Sequence, residues 1–315
     1  MLYRRLGRTG LQVSELSYGA ARGATQTPTQ FIATVKATIA AGVNLIDTAA
    51  GYDGGDSERV LGQALAGEDG VLVETKYCPY ENYSPAAAYV GSPQALVASA
   101  EESLRRLRRD RLDILLGHGI RTLATLDRFM TDGCYEALVR LRDQGKVRFI
   151  GISELSEADG THEVLKRALP SGAFDVVMLT LNFLLQTAAE DILPLCLKHD
   201  VGTVVMMPLN QASKDSGLVS VEAALECVRR HVAQGNLPAT PPYTEPNLLD
   251  FLRPYPIPEA ALRYVLVHQV SSCCVGTRTP ERFRENLRAV APPYLDAARL
   301  ERLRALFGRI RAQVR

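Results

Sequence analysis

Asp47, Tyr52, Lys76 and His118 are residue types that together can move a proton onto a carbonyl oxygen. A tyrosine hydroxyl titrates at about 10 in water, too high for free exchange at neutral pH. A lysine ammonium within a few ångströms favours the tyrosinate and lowers that value. Asp47 would hold the ammonium in place and offset its charge. His118 would donate a hydrogen bond to a substrate oxygen and orient a carbonyl beside Tyr52. The result is a proton donor beside a polarised carbonyl that still lacks two electrons. No metal cluster, serine triad or cysteine pair in the chain supplies them, so hydride from a nicotinamide is the natural complement. Singly each residue has a plainer reading: Asp47 as a helix cap, Lys76 as a solvated strand end, His118 with a structural partner.

The elements that must gather these four alternate along the chain. Strand-like apolar runs at 15–19, 43–47, 71–75, 112–116, 147–152, 175–180, 203–206 and 272–275 are each followed by a helical segment. Helical spacing is clearest at 31–41, 58–65, 93–109, 135–144, 162–168, 187–199 and 258–268. Alternation predicts a parallel sheet covered by helices, and eight units predict an α/β fold closed as a (β/α)8 TIM barrel. An open doubly wound sheet is the alternative, weakened because no GxGxxG follows the first strand. On a barrel, Asp47, Lys76 and His118 end the second, third and fourth strands, with Tyr52 just beyond the second. An N-terminal β-hairpin is expected from runs 2–6 and 11–13 about Gly7-Arg8-Thr9-Gly10. Residues 210–258, with the run LPATPPYTEPN, form a long insertion between strands seven and eight. It is expected over the C-terminal face as a lid or cofactor strap of one domain spanning 1–315.

Bulk properties narrow the classes. The chain has 315 residues, 46% hydrophobic and 23% charged, enough for a sizeable core. A net charge of +1 gives no electrostatic case for nucleic acid or anionic membrane. No apolar run approaches the roughly 20 residues needed to span a bilayer, and MLYRRLGRTG lacks the apolar core of a secretory signal. A cytoplasmic protein with a small-molecule partner is expected, with a homo-oligomer left open. The six cysteines show no zinc-ligand spacing, so no metal site is expected.

Three motifs in order, Asp-Thr-Ala-x-x-Tyr at 47–52, Thr-Lys at 75–76 and Asp-x-x-x-x-His at 113–118, resemble the aldo-keto reductases. GKVRFIGIS at 145–153, LNFLL at 181–185 and VGTRTPERFRENL at 275–287 extend the similarity over nearly the whole chain, to a bacterial-type member. The resemblance implies a (β/α)8 barrel, NADP(H) as cofactor, and Asp47, Tyr52, Lys76 and His118 as the catalytic tetrad. It also implies that Ser153, Glu154, Met178, Met206, Pro208 and Leu209 lie at nicotinamide-side positions. Gly276, Thr277, Arg278 and Arg282 would meet the 2′-phosphate, and Glu285 and Asn286 would approach the adenine. A loop entering a helix near Pro280 suits phosphate through free N–H groups, and arginine through its planar fork of donors.

The chain also departs from the family. Glu154 stands where an asparagine usually holds the nicotinamide carboxamide, and an ionised glutamate cannot donate. The glutamine of the sixth strand falls at Met178, if Asn182 aligns with the family's asparagine. The aromatic that often stacks on nicotinamide falls at Met206, and Met207 replaces the lysine of a VMKPL motif. The expected function is NADPH-dependent reduction of an aldehyde, ketone or related C=O or C=N group, with Tyr52 as proton donor. His118 favours carbonyl chemistry over reduction of an activated C=C bond. The alternatives are a non-catalytic NADP(H)-binding sensor and a metal-dependent barrel hydrolase using Asp47 and His118.

Overall fold

The apolar runs form the staves of a barrel in a computed structural model that describes residues 1–211, 215–290 and 292–314. A two-stranded antiparallel hairpin comes first, β1 (Tyr3–Arg5) and β2 (Gln12–Ser14). Eight strands follow: β3 (Leu16–Gly19), β4 (Leu45–Asp47), β5 (Leu72–Tyr77) and β6 (Leu112–Ile120), then β7 (Val147–Glu154), β8 (Val176–Thr180), β9 (Gly202–Met206) and β10 (Ser272–Val275). They pair in parallel in chain order, and β10 closes the ring against β3. The expected barrel is therefore the observed one, with strand edges within two residues of expectation at most positions.

Alternation along each strand explains why short apolar runs suffice. Inward-facing Leu45, Ile114, Leu116, Val176, Met178, Val204 and Cys274 pack together with Leu6 and Val13 of the hairpin. Outward-facing Tyr18, Ile46, Val73, Leu115, Ile150, Val177 and Val205 join the larger core beneath the helices. The hairpin plugs the strands' N-terminal end, leaving the opposite end open for loops. Gly7 makes this possible: at φ +48° it lies so close to the start of β9 that a Cβ would fall 2.7 Å from the Asp200 carbonyl oxygen.

The helices start where their caps dictate. Thr27 and Gln30 form a capping box for Pro28–Ala40, and Ser92 caps Pro93–Leu107. Such a cap contributes about 1 kcal/mol. Three details depart from the sequence pattern. Residues 120–132, where that pattern marks no element, contain the helix Leu123–Thr131, capped by Thr122 and Thr125. The single helix expected over 187–199 is two, Thr187–Asp191 and Leu193–Lys198, because Pro194 has no N–H to continue the first. Segment 210–258, of which 212–214 lie outside the described residues, holds the helix Val221–Ala233, capped by Ser220. Beyond that helix, two residues of the segment are pinned to the C-terminal helix Ala297–Phe307: Tyr243 donates to the Leu306 carbonyl at 2.8 Å, and Arg302 lies over the Phe251 ring. No helix among the described residues is long and apolar enough to cross a membrane.

Candidate active site

Strand ends bring the four candidate residues together. Asp47 ends β4, Lys76 lies near the end of β5, and His118 lies near the end of β6. Lys76 Nζ donates to Asp47 Oδ1 and, at 2.8 Å, to the Thr48 carbonyl. Tyr52 opens a tight turn, Tyr52–Gly55, in which Asp53 (φ 51°), Gly54 and Gly55 all take positive φ. That turn sets the Tyr52 ring 5.1 Å from Lys76 Nζ. Pairing of β6 with β7 shifts register between Gly117 and Ile120. Such an irregularity re-aims side chains, and here the His118 ring stands edge-on to Tyr52 at 5.9 Å. The tetrad expected from the sequence is thus one cluster.

Burial sets the charges in this cluster. Burial pulls Lys76 down, but the Asp47 charge, with its hydrogen bond, leads the influences that outweigh it and hold the ammonium protonated. Burial raises Asp47, and the Lys76 charge and hydrogen bond oppose that. Burial likewise raises the Tyr52 hydroxyl; Lys76 lowers it, and Asp47 raises it again. The sequence expectation that lysine lowers this tyrosine holds for the Lys76 contribution alone, since desolvation outweighs it. His118 is pushed well below its usual range by burial, then by Lys76 and Arg121. It is therefore a neutral imidazole, with one N–H to give.

Tyr83 lies in the loop after β5, outside every motif of the sequence. Its ring packs 5.0 Å from His118 and 6.3 Å from Tyr52, and it is 44% exposed. Arg121, from the end of β6, steadies that loop by donating to the Asn82 and Ala87 carbonyls and lying over the Tyr80 ring. Glu74 also escaped notice, although it lies two residues before Lys76 and is fully buried. The period-two pattern of β5 would have placed it on the same face.

A family model described as the aldo/keto reductase family matches residues 15–307. The chain belongs to the aldo-keto reductase family. It is 30% identical to L-galactose dehydrogenase of Arabidopsis thaliana over 297 residues, 91% of this chain and 87% of that protein. NADH-specific methylglyoxal reductase of Escherichia coli (strain K12) is 29% identical over 282 residues, 81% of each chain. The holo form of aldo-keto reductase AKR11C1 from Bacillus halodurans matches with a TM-score of 0.75 at 26% identity, covering 98% of this chain and 96% of that one. Aldo-keto reductases are oxidoreductases that use nicotinamide cofactors and act on small-molecule carbonyls.

As an aldo-keto reductase, the chain carries polar groups that fit such a cofactor. Arg278 and Arg282 expose their guanidiniums near the β10 end; Arg278 is steadied by Thr25 Oγ1 at 2.8 Å, and Arg282 lies 3.8 Å from Glu285. Gln26 donates to the Arg278 carbonyl, tying this turn to the loop after β3. Gly276 is exposed, Thr277 and Asn286 are half-buried, and Thr279 caps the helix Pro280–Asn286. On the other side, Ser153 is buried and its Oγ accepts the Gly119 N–H at 2.8 Å. Met178 points into the barrel with Met206 packed near it, Pro208 is buried, and Leu209 is half-buried. Asn182 Nδ2 donates to the Met207 carbonyl at 3.2 Å.

Glu154 stands apart. It is buried, its Oε1 accepts the Thr180 N–H at 2.7 Å, and its Oε2 meets His162 Nδ1 at 2.6 Å. His162 Nε2 in turn meets Thr187 Oγ1 at 2.7 Å. Both carboxylate oxygens are committed to Thr180 and His162, so the side chain has no free polar atom for a cofactor amide. The departure at this position is a structural tie among β7, β8 and the helix Thr187–Asp191.

Proposed function

We propose that this protein is an NADPH-dependent reductase of an aldehyde, ketone or related C=O or C=N group, with Tyr52 as the proton donor. The observation that carries the reading is the Lys76 ammonium, bonded to Asp47 and set 5.1 Å from the Tyr52 ring beside a neutral His118. A bound nicotinamide supplies the hydride. The neutral His118 donates its N–H to the substrate oxygen and orients the carbonyl. The Tyr52 hydroxyl stays protonated at neutral pH because burial holds it up. It gives that proton as negative charge develops on the substrate oxygen, and Lys76 stabilises the tyrosinate left behind. Asp47 keeps the ammonium aimed.

The preference for NADPH rests on Arg278 and Arg282, whose guanidiniums suit a phosphate dianion. One relative is named as NADH-specific, so side-by-side fluorescence titration with NADPH and NADH is the direct test. Tight, NADPH-selective binding followed by steady-state turnover of a panel of carbonyls supports the reading. Binding without turnover of any carbonyl would support a nucleotide-sensing role instead.

A further inference from the structure

Asp47 and Glu74 are Cα partners on the neighbouring strands β4 and β5. Glu74 lies two residues before Lys76, so it faces the barrel interior beneath the tetrad. It is 0% exposed, and among the described residues no donor reaches either of its carboxyl oxygens. Its counterpart on the neighbouring strand, on the same inward face, is the carboxyl of Asp47. Two carboxylates facing each other can only repel, since each is solely an acceptor. A proton between them turns the same contact into a charge-assisted hydrogen bond.

The charged and titratable neighbours say where that proton lies. Asp47 faces Glu74 from β4, Lys76 from its own strand and Cys274 from β10, while β6 presents the apolar Ile114. Burial first, then Asp47, pushes the Cys274 thiol well up, so it is neutral. Tyr52 and His118 stand above, towards Lys76. That leaves one ammonium for two carboxyls, and Lys76 Nζ is bonded to Asp47. Two carboxyls sharing one site cannot both ionise cheaply, and an unpaired buried carboxylate is costlier still.

We propose that Glu74 is held as a neutral carboxylic acid that donates its proton to Asp47, making it a positioning residue for the Asp47–Lys76 pair. Burial and the Asp47 charge both push Glu74 well above the usual carboxyl range. The charge state stands independently of the reaction proposed above; the effect on turnover rests on that reading.

The deciding experiment is chemical denaturation of wild type and Glu74→Gln from about pH 5 to about pH 8. In the unfolded chain Glu74 loses its proton at about 4.3, whereas the folded chain keeps it. Folding therefore binds a proton, and wild-type stability falls relative to the glutamine variant as pH rises. The expected result is a tenfold change in the ratio of their folding constants per pH unit. A ratio constant across the range would mean that native Glu74 is ionised, and would overturn the proposal. If the variant does not fold, infrared spectra of wild-type protein decide. A protonated-carboxyl band that moves with isotope-labelled glutamate supports it; a band that moves only with labelled aspartate, or none, overturns it.

Turnover tests the positioning role. Glu74→Leu removes the donor to Asp47 and should lower kcat roughly tenfold, the worth of one charge-assisted hydrogen bond. Glu74→Gln, which can still donate, should recover most of that loss, and equal kcat for the two variants would refute the role. The stability measurement reads the proton whether or not a carbonyl is turned over. A failure of the proposed reaction is thereby distinguished from a failure of this assignment.

Discussion

Tyr83 lays its ring 5.0 Å from that of His118, so a residue from the loop after β5 roofs a residue at the end of β6. The contact leaves Tyr83 44% exposed and Tyr52 beneath it at 6.3 Å between centroids. On the proposed reading, this ring borders the approach of a substrate carbonyl to Tyr52. Tyr83→Ala should lower kcat/KM for aromatic aldehydes roughly tenfold, the worth of one ring–ring contact. Small aliphatic aldehydes and cofactor affinity should change little. An equal effect on both substrate classes in steady-state assays would remove Tyr83 from the substrate path.

Tyr52→Phe keeps the ring and deletes the proton. Turnover should fall by roughly a hundredfold to ten-thousandfold, the usual range for general acid catalysis. The dissociation constant of the cofactor, measured by fluorescence, should stay nearly unchanged. Near-native turnover would assign the proton to another group.

The Lys76–Asp47 pair is almost wholly buried, with side-chain exposures of 1% and 6%. Lys76→Met leaves a lone buried carboxylate, which should cost about 3–5 kcal/mol in urea denaturation at neutral pH. Lys76→Met combined with Asp47→Leu should recover most of that loss, because the uncompensated charge is gone. If the double variant is no more stable than the single one, the cost lies in packing rather than in charge.

The Glu154–His162 tie gives stability a pH signature. Burial pulls His162 down, but the Glu154 charge, their hydrogen bond and Asp159 outweigh it, so its folded value is raised. A raised histidine contributes stability that is complete below its unfolded value, about 6.5, and fades as pH climbs through the folded value. Glu154→Gln should therefore cost most below about pH 6.5, with the gap to wild type narrowing above it. Denaturation at several pH values reads this directly; a gap that widens with pH would contradict a charged His162.

Arg278→Ala should weaken NADPH by roughly tenfold to a hundredfold, as expected for a lost hydrogen bond to a charged group. NADH, which lacks the 2′-phosphate, should be weakened far less. Equal weakening of both cofactors in titrations would place Arg278 elsewhere on the dinucleotide, or would trace its effect to the lost bond with Thr25.

The residue string by itself determined the barrel and the gathering of Asp47, Tyr52, Lys76 and His118 at one end of it. Eight apolar runs of strand length alternate with helical periods, and local pattern is what sets such elements. Asp47, Lys76 and His118 follow directly from three of those runs, so placing the strands also placed the side chains. Tertiary structure alone decided the rest. Glu74 became a partner of Asp47 through the register of β4 with β5, and no local preference encodes register between strands 25 residues or more apart. Glu154 turned to His162 and Thr180 because β7, β8 and the following loops converge there. Tyr83 found His118 through a loop whose path Arg121 fixes. The helix Leu123–Thr131 was hidden by its threonine-rich start, where turn and cap look alike in sequence and only the backbone hydrogen bonds tell them apart. Long-range packing selects among conformations that short-range chemistry leaves nearly equal in free energy.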